Sequence, residues 1–123
     1  MQMLFESSSE NGETPGMGLL KGRVERFPVG RKVPHMGWNR LIIAGQDPLF
    51  AGIEDGEQFY FVHSYRVQNA AVDDVIAWCE YGDAFPAAVK LGQCAYGVQF
   101  HPEKSGKNGL RLLKNFWDVI SCS

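Results

Sequence analysis

The chain has 123 residues, 45% of them hydrophobic, and a formal net charge of -2, which suits one compact domain with a real core and argues against a basic nucleic-acid groove. No run of about 18 apolar residues is present and no basic segment leads into an apolar stretch, so neither a membrane-spanning helix nor a signal peptide is expected. The three cysteines, Cys79, Cys94 and Cys122, are an odd number with no CxxC pair, which signals neither a zinc site nor a disulfide framework and points to a reducing, cytoplasmic setting. In chain order, "MQMLFESSS" consists of good helix formers with no capping residue before them, as in a helix entered partway. "ENGETPGMG" is a loop by its Gly, Asn and Pro content, and its "GMG" lacks the strand and helix that a phosphate-cradling glycine loop needs. "GRVERF" alternates as a short strand, "PVGRKV" is a turn, and "WNRLIIAG" and "QFYFVHSYRV" are strands rich in aromatic and β-branched residues. "VIAWCEYG", "FPAAVKLG" and "CAYGVQFH" are three further strands between Gly and Asp turns. From Ser105 onward a helix is expected, with Leu110, Leu113, Phe116 or Trp117, and Ile120 on one apolar face. The pattern predicts an α/β domain whose long antiparallel middle stands as an insertion beside a parallel sheet.

The stretch "GVQFHPEKS", residues 97–105, carries the chemistry. Proline keeps the residue before it out of the α region, so His101 stays extended as its strand ends. In an extended chain, residues two apart face the same way, which allows His101 and Glu103 to project together. A carboxylate beside an imidazole holds its tautomer and stabilises the imidazolium, the orienting half of a nucleophile–base–acid triad. The C-terminal end of a parallel strand is also where open α/β sheets place their chemistry. The alternative is a surface His–Glu pair serving only as a turn. No nucleophile stands out. Cys94 lies roughly 23 Å along the predicted strand from His101 and on its opposite face, Cys79 sits mid-strand, Cys122 is near the C-terminus, and no serine occupies a Gly-x-Ser-x-Gly elbow.

"GVQFHPEKS" resembles the C-terminal signature of class I, triad-type glutamine amidotransferases. "KVPHMGWN" (residues 32–39) and "YFVHSY" (residues 60–65) narrow the resemblance to the glutaminase subunit of imidazole glycerol phosphate synthase, of histidine biosynthesis. The resemblance implies a flavodoxin-like class I glutamine amidotransferase fold with its N-terminal part missing, residues 1–123 forming one truncated domain. Met1 and Gln2 align with the Met-Gln that closes the family's Gly-x-Cys-x-Gly-Met-Gln elbow, which places the nucleophilic cysteine three residues before Met1. The 123-residue polypeptide is accordingly expected to release no ammonia by itself, and to be poorly soluble through an unpaired sheet edge and uncovered apolar surface.

By the same resemblance His101 is the general base and Glu103 the residue that orients it. Gln2 and Glu10 contact the substrate glutamine, Glu10 through the α-amino group, and Ser64 and Tyr65 present backbone groups to it. The implied reaction is thiolate attack on the glutamine amide, loss of ammonia, and hydrolysis of the glutamyl thioester, with no cofactor and no metal. Ammonia passes to a (β/α)8-barrel cyclase subunit, which makes imidazole glycerol phosphate and an aminoimidazole carboxamide ribotide. Pro34, His35, Met36, Gly37, Trp38 and Asn39, with Tyr60 and Lys104, form the partner interface and ammonia entrance. From composition alone "PHMGWN" is either an exposed apolar patch of the kind found at interfaces or ordinary core, and His35 and His63 are satisfied structural histidines rather than metal ligands. Two rivals remain: a cyclase-binding remnant without turnover, and the glutaminase component of another class I amidotransferase such as anthranilate synthase.

Overall fold

The computed structural model describes residues 1–8, 14–27, 32–93 and 95–121. Among them run ten strands: β1 (Ser7–Ser8), β2 (Thr14–Pro15), β3 (Arg23–Arg26), β4 (His35–Arg40), β5 (Ile42–Ile43), β6 (Gln58–His63), β7 (Tyr65–Gln68), β8 (Val75–Tyr81), β9 (Asp83–Leu91) and β10 (Ala95–Val98). The helix α1 (Gly106–Ser121) follows them, and single 3-10 turns stand at Gln2–Leu4, Pro48–Phe50, Val72–Asp74 and Pro102–Lys104. One sheet has the order β2-β1-β3-β7, a second β10-β9-β8-β5, and β4 and β6 form a two-stranded ribbon. Only β1 and β3 run parallel among the described pairings. The antiparallel middle is as the sequence predicts, whereas the parallel sheet expected beside it is represented among the described residues by the two-residue β1–β3 pairing alone.

Two hydrophobic clusters meet at the β8–β9 hairpin. Cys79 and Phe85, paired across it, belong to the larger cluster, with Phe59 and Phe61 of β6, Leu41, Leu49, Phe100 and Leu112. Val75 and Val89, also paired, belong to the smaller one, with Phe5, Leu20, Val24 and Val67. A bulge between Val75 and Trp78 breaks the period of two, so Val75, Ile76 and Ala77 are buried in succession. Each fully buried phenylalanine contributes on the order of 2–3 kcal/mol, and Phe5, Phe59, Phe61 and Phe85 are all of that kind.

Several elements differ from expectation. "MQMLFESSS" is not a helix: Leu4 and Phe5 close a single 3-10 turn onto Met1 and Gln2, and the chain then runs extended into β1. The reason is tertiary, since Phe5 is fully buried and Glu6 is held to Gly22 through both its backbone and its carboxylate. "QFYFVHSYRV" breaks at Ser64, and its halves join different sheets. The apolar loop at "PHMGWN" is mostly strand, β4, paired in register with β6 from His35 opposite His63 to Arg40 opposite Gln58. Helix α1 buries Gly109, Leu112 and Asn115, while Leu110, Leu113 and Trp117 are exposed. Asn115 turns the helix away from its apolar stripe, because its Nδ2 donates to the Leu49 and Ala51 carbonyls, at 2.9 and 2.8 Å.

Candidate active site

Strand β10 ends at Val98, and it pairs antiparallel with β9 rather than parallel to a neighbour. Its continuation is still held: Gln99 N–H donates to the Ala87 carbonyl and His101 N–H to the Tyr60 carbonyl, at 2.8 and 2.9 Å. His101 is extended, at φ -102° and ψ 99°, as a residue before proline must be. Pro102 then opens the 3-10 turn, and it is this turn, not continued strand, that swings Glu103 back. Glu103 Oε1 lies 2.9 Å from His101 Nδ1. With Nδ1 occupied, the imidazole exchanges protons through Nε2.

Ser105 braces this turn. Its hydroxyl accepts from Tyr60 N–H at 2.9 Å and donates to the His101 carbonyl at 2.6 Å, and its side chain is fully buried. Gly109, in the first turns of α1, lies close under the Pro102 carbonyl, an approach that no side chain would permit. Sequence reasoning missed both residues. A buried serine four residues after the histidine and a glycine in a helix carry a signal only once the helix is known to pack on the turn.

A cleft of about 640 Å³ opens beside the pair, lined by Met1, Gln2, Leu4, the chain from Tyr96 to Gln99, and His101 to Glu103. Gln2 is thereby brought to His101, although 99 positions separate them in sequence. Its Nε2 donates to the Tyr65 carbonyl at 3.1 Å and to Gln99 Oε1 at 2.8 Å. Gln99 is a further cleft residue absent from the sequence prediction. The Ser64 carbonyl accepts from Phe27 N–H at 3.2 Å. Glu10 lies outside the described residues.

The ribbon's outer face carries Met36 and Trp38, 62% and 52% exposed. Trp38 meets Tyr60 edge-on with ring centroids 6.0 Å apart. Pro34 and Lys104 are exposed, and Gly37, Asn39 and Tyr60 half-buried. His35 does not belong with them. It is buried beneath the ribbon, stacked between Phe61 and Tyr81 at 5.0 and 4.2 Å, because side chains alternate faces along β4.

A model of the glutamine amidotransferase class-I family matches residues 1–119. The chain belongs to the class-I glutamine amidotransferase family. It is 47% identical to the imidazole glycerol phosphate synthase subunit HisH of Caldanaerobacter subterraneus over 99% of its length and 60% of the relative's. It is 52% identical to the HisH subunit of Geobacillus kaustophilus over 98% of its length and 59% of the relative's. The HisH subunit of Methanosarcina acetivorans is also 52% identical, over 96% of this chain and 59% of that protein. The chain thus spans about three-fifths of the curated relatives it matches. A solved glutamine amidotransferase shares the fold at a TM-score of 0.62 and 22% identity, over 97% of this chain and 56% of that one. The α/β class read from the sequence agrees with these matches.

Within this amidotransferase chain, the described thiol is not a nucleophile. Cys79 is fully buried in the larger cluster, and burial pushes its pKa up to about 12. Cys94 and Cys122 lie outside the described residues. The other two histidines are held neutral. Burial lowers His35 to about 4, with His63 adding to the effect. Burial also lowers His63, opposed by its bond to the Tyr65 carbonyl and reinforced by the charge of His101. Among the described residues no group of His, Cys, Asp and Glu could hold a metal ion, and no helix is long and apolar enough to cross a membrane.

Proposed function

We propose that this chain is the base-bearing part of the glutaminase subunit of imidazole glycerol phosphate synthase, which hydrolyses glutamine and delivers ammonia to a (β/α)8-barrel cyclase subunit. The observation that carries the reading is the His101–Glu103 pair, 2.9 Å apart, at the wall of a cleft that also holds Gln2. The similarity to three HisH subunits supports this synthase over anthranilate synthase.

His101 Nε2 takes the proton of a cysteine thiol, and the thiolate attacks the glutamine amide carbon. The carbonyl π electrons move onto oxygen. As that tetrahedral oxyanion collapses, the C–N bond breaks and the His101 proton leaves with ammonia. Water, deprotonated by the same Nε2, then cleaves the thioester to glutamate and restores the thiol. Glu103 stabilises the imidazolium in both halves by accepting from Nδ1–H. Met1 lines the cleft, and the elbow that Met1 and Gln2 resemble would bring its nucleophilic cysteine within about 11 Å of that wall. Gln2, with backbone groups of Ser64 and Tyr65, helps hold the glutamine, Glu10 its α-amino group. Met36, Trp38, Tyr60 and Lys104 face the cyclase.

The test is glutamate release by the intact gene product, assayed with its cyclase subunit, against His101→Ala. Release lost in the variant is expected. Release independent of His101 overturns the mechanism. A stable complex with the cyclase and no turnover favours the partner-binding reading, for which exposed Met36 and Trp38 are the supporting observation.

A further inference from the structure

Beneath the ribbon, two imidazoles are joined end to end. His35 Nδ1 lies 2.9 Å from His63 Nε2, and both rings are buried. The outer nitrogen of each ring also has a partner: Asn39 Nδ2 is 3.1 Å from His35 Nε2, and the Tyr65 carbonyl oxygen is 2.7 Å from His63 Nδ1. The two ends fix the polarity of this line. Asn39 is oriented from outside, since its Oδ1 accepts from Arg40 N–H at 2.8 Å and its Nδ2 donates to the Glu80 carbonyl at 3.0 Å. An amide nitrogen only donates and a carbonyl oxygen only accepts. With a donor at one end and an acceptor at the other, one arrangement satisfies all three bonds: both rings neutral, each with its hydrogen on Nδ1. A second proton on either ring would point at another donor. Burial favours the same neutral state, and the stack of His35 between Phe61 and Tyr81 keeps that ring from turning.

The line ends on a carbonyl that matters to the cleft. Tyr65 O accepts from His63 Nδ1 and also from Gln2 Nε2, and Gln2 lines the cleft with His101. We propose that Asn39, His35 and His63 are positioning residues for glutamine: a one-directional hydrogen-bond line from the partner-facing ribbon to the Tyr65 carbonyl and, through it, to Gln2. This rests on the cleft being the glutamine site. Reversal of the line puts a lone pair of His63 Nδ1 against the Tyr65 carbonyl, and the repulsion displaces the group that holds Gln2.

Asn39→Asp tests this, because it keeps the side-chain shape and replaces the donor at the line's start with an acceptor. Two readouts on the intact gene product with its cyclase subunit decide it. Long-range proton–nitrogen NMR of the imidazoles is expected to show both His35 and His63 of the wild type protonated on Nδ1 alone. In Asn39→Asp, His35 is expected to carry a proton on Nε2, and KM for glutamine to rise roughly three- to tenfold, the worth of one hydrogen bond, with kcat changed less. Neither readout follows from a loss of stability alone. An Nε2–H tautomer at either wild-type ring overturns the line. Unchanged KM in Asn39→Asp, with wild-type hydrolysis intact, overturns its positioning role and leaves the proposed function standing. Absence of glutamine hydrolysis by the wild type overturns the proposed function and this role with it.

Discussion

Gly109→Ala sets two effects of known size against each other. In a helix interior alanine is worth about 1 kcal/mol over glycine, so propensity predicts a more stable protein. Packing predicts the reverse. A β-carbon at 109 would stand 2.8 Å from the Pro102 carbonyl carbon and 3.0 Å from Ser105 Cβ, with the Pro102 oxygen nearer still. Carbon atoms in contact sit about 3.5–4.0 Å apart, so helix and turn must part by about 1 Å. The obstacle is backbone, and no rotamer relieves it. Overpacking by one methyl costs about 1–3 kcal/mol or more, and the rigidity of these neighbours places this site at the upper end. A net destabilisation of about 2 kcal/mol is expected. The turn that must move carries Pro102, which lines the cleft between His101 and Glu103, so glutamine hydrolysis should fall as well. Urea unfolding of the intact gene product measures the first effect, with exposed Lys107→Ala as a helix control expected within about 0.5 kcal/mol of wild type. A Gly109→Ala protein as stable as wild type, or more so, refutes the reasoning, because propensity would then have met no opposition.

Ser105→Ala leaves the Tyr60 N–H without its acceptor beside the buried position 105 and removes a bond to the His101 carbonyl, so a loss of about 1–3 kcal/mol is expected in the same urea assay; a change under about 0.5 kcal/mol would contradict it. Glu103→Gln keeps the contact with His101 but gives up the charge that stabilises the imidazolium, and kcat is expected to fall at least about a hundredfold with KM little changed; near wild-type turnover would show that Glu103 does not orient the base. Acid sensitivity follows from His35, whose pKa drops from 6.5 to about 4 on burial. The unfolded chain takes up this proton as pH falls through 6.5 and the folded one resists until about 4, so stability is full above 6.5 and declines across that window. The contribution is on the order of 3 kcal/mol, and His35→Gln should flatten the profile between those values. Equal slopes in variant and wild type would assign the acid limb to other groups.

The contact between His101 and Glu103 was legible in the sequence, though for a partly mistaken reason. A period-two strand would bring positions 101 and 103 to one face, whereas here the proline ends the extended segment and a 3-10 turn returns the carboxylate. The proline governed the outcome in both accounts, through φ and through its effect on the preceding residue. Strand positions were similarly legible, but strand partners were not. Nothing local in "FVHSYRV" indicates that Ser64 divides two sheets. The helix face was misjudged because periodicity counts apolar residues, while Asn115 is buried for its two carbonyl acceptors. Gln2 and Gln99 show the same limit in the site. Long-range polar pairs have no sequence period, so the cleft could be populated by resemblance but not built from spacing.

The strand that ties these parts together is β6. At Tyr60 its backbone carbonyl receives His101 N–H and its N–H binds the serine that braces the His101 turn. Three residues on, His63 donates to the carbonyl that holds Gln2. One short strand therefore supports both His101 and a group of the cleft beside it, and it is paired along its whole length with β4, whose outer face carries Met36 and Trp38. A site held on regular, paired strands keeps its geometry better than one held on loops. A consequence follows for any partner seated on that outer face. Shifting β4 against β6 moves His101 through Tyr60 and Gln2 through His63 together, so substitutions at the ribbon's surface should change kcat and KM in company, whereas Asn39→Asp, which reverses the line ending at the Tyr65 carbonyl, should separate them.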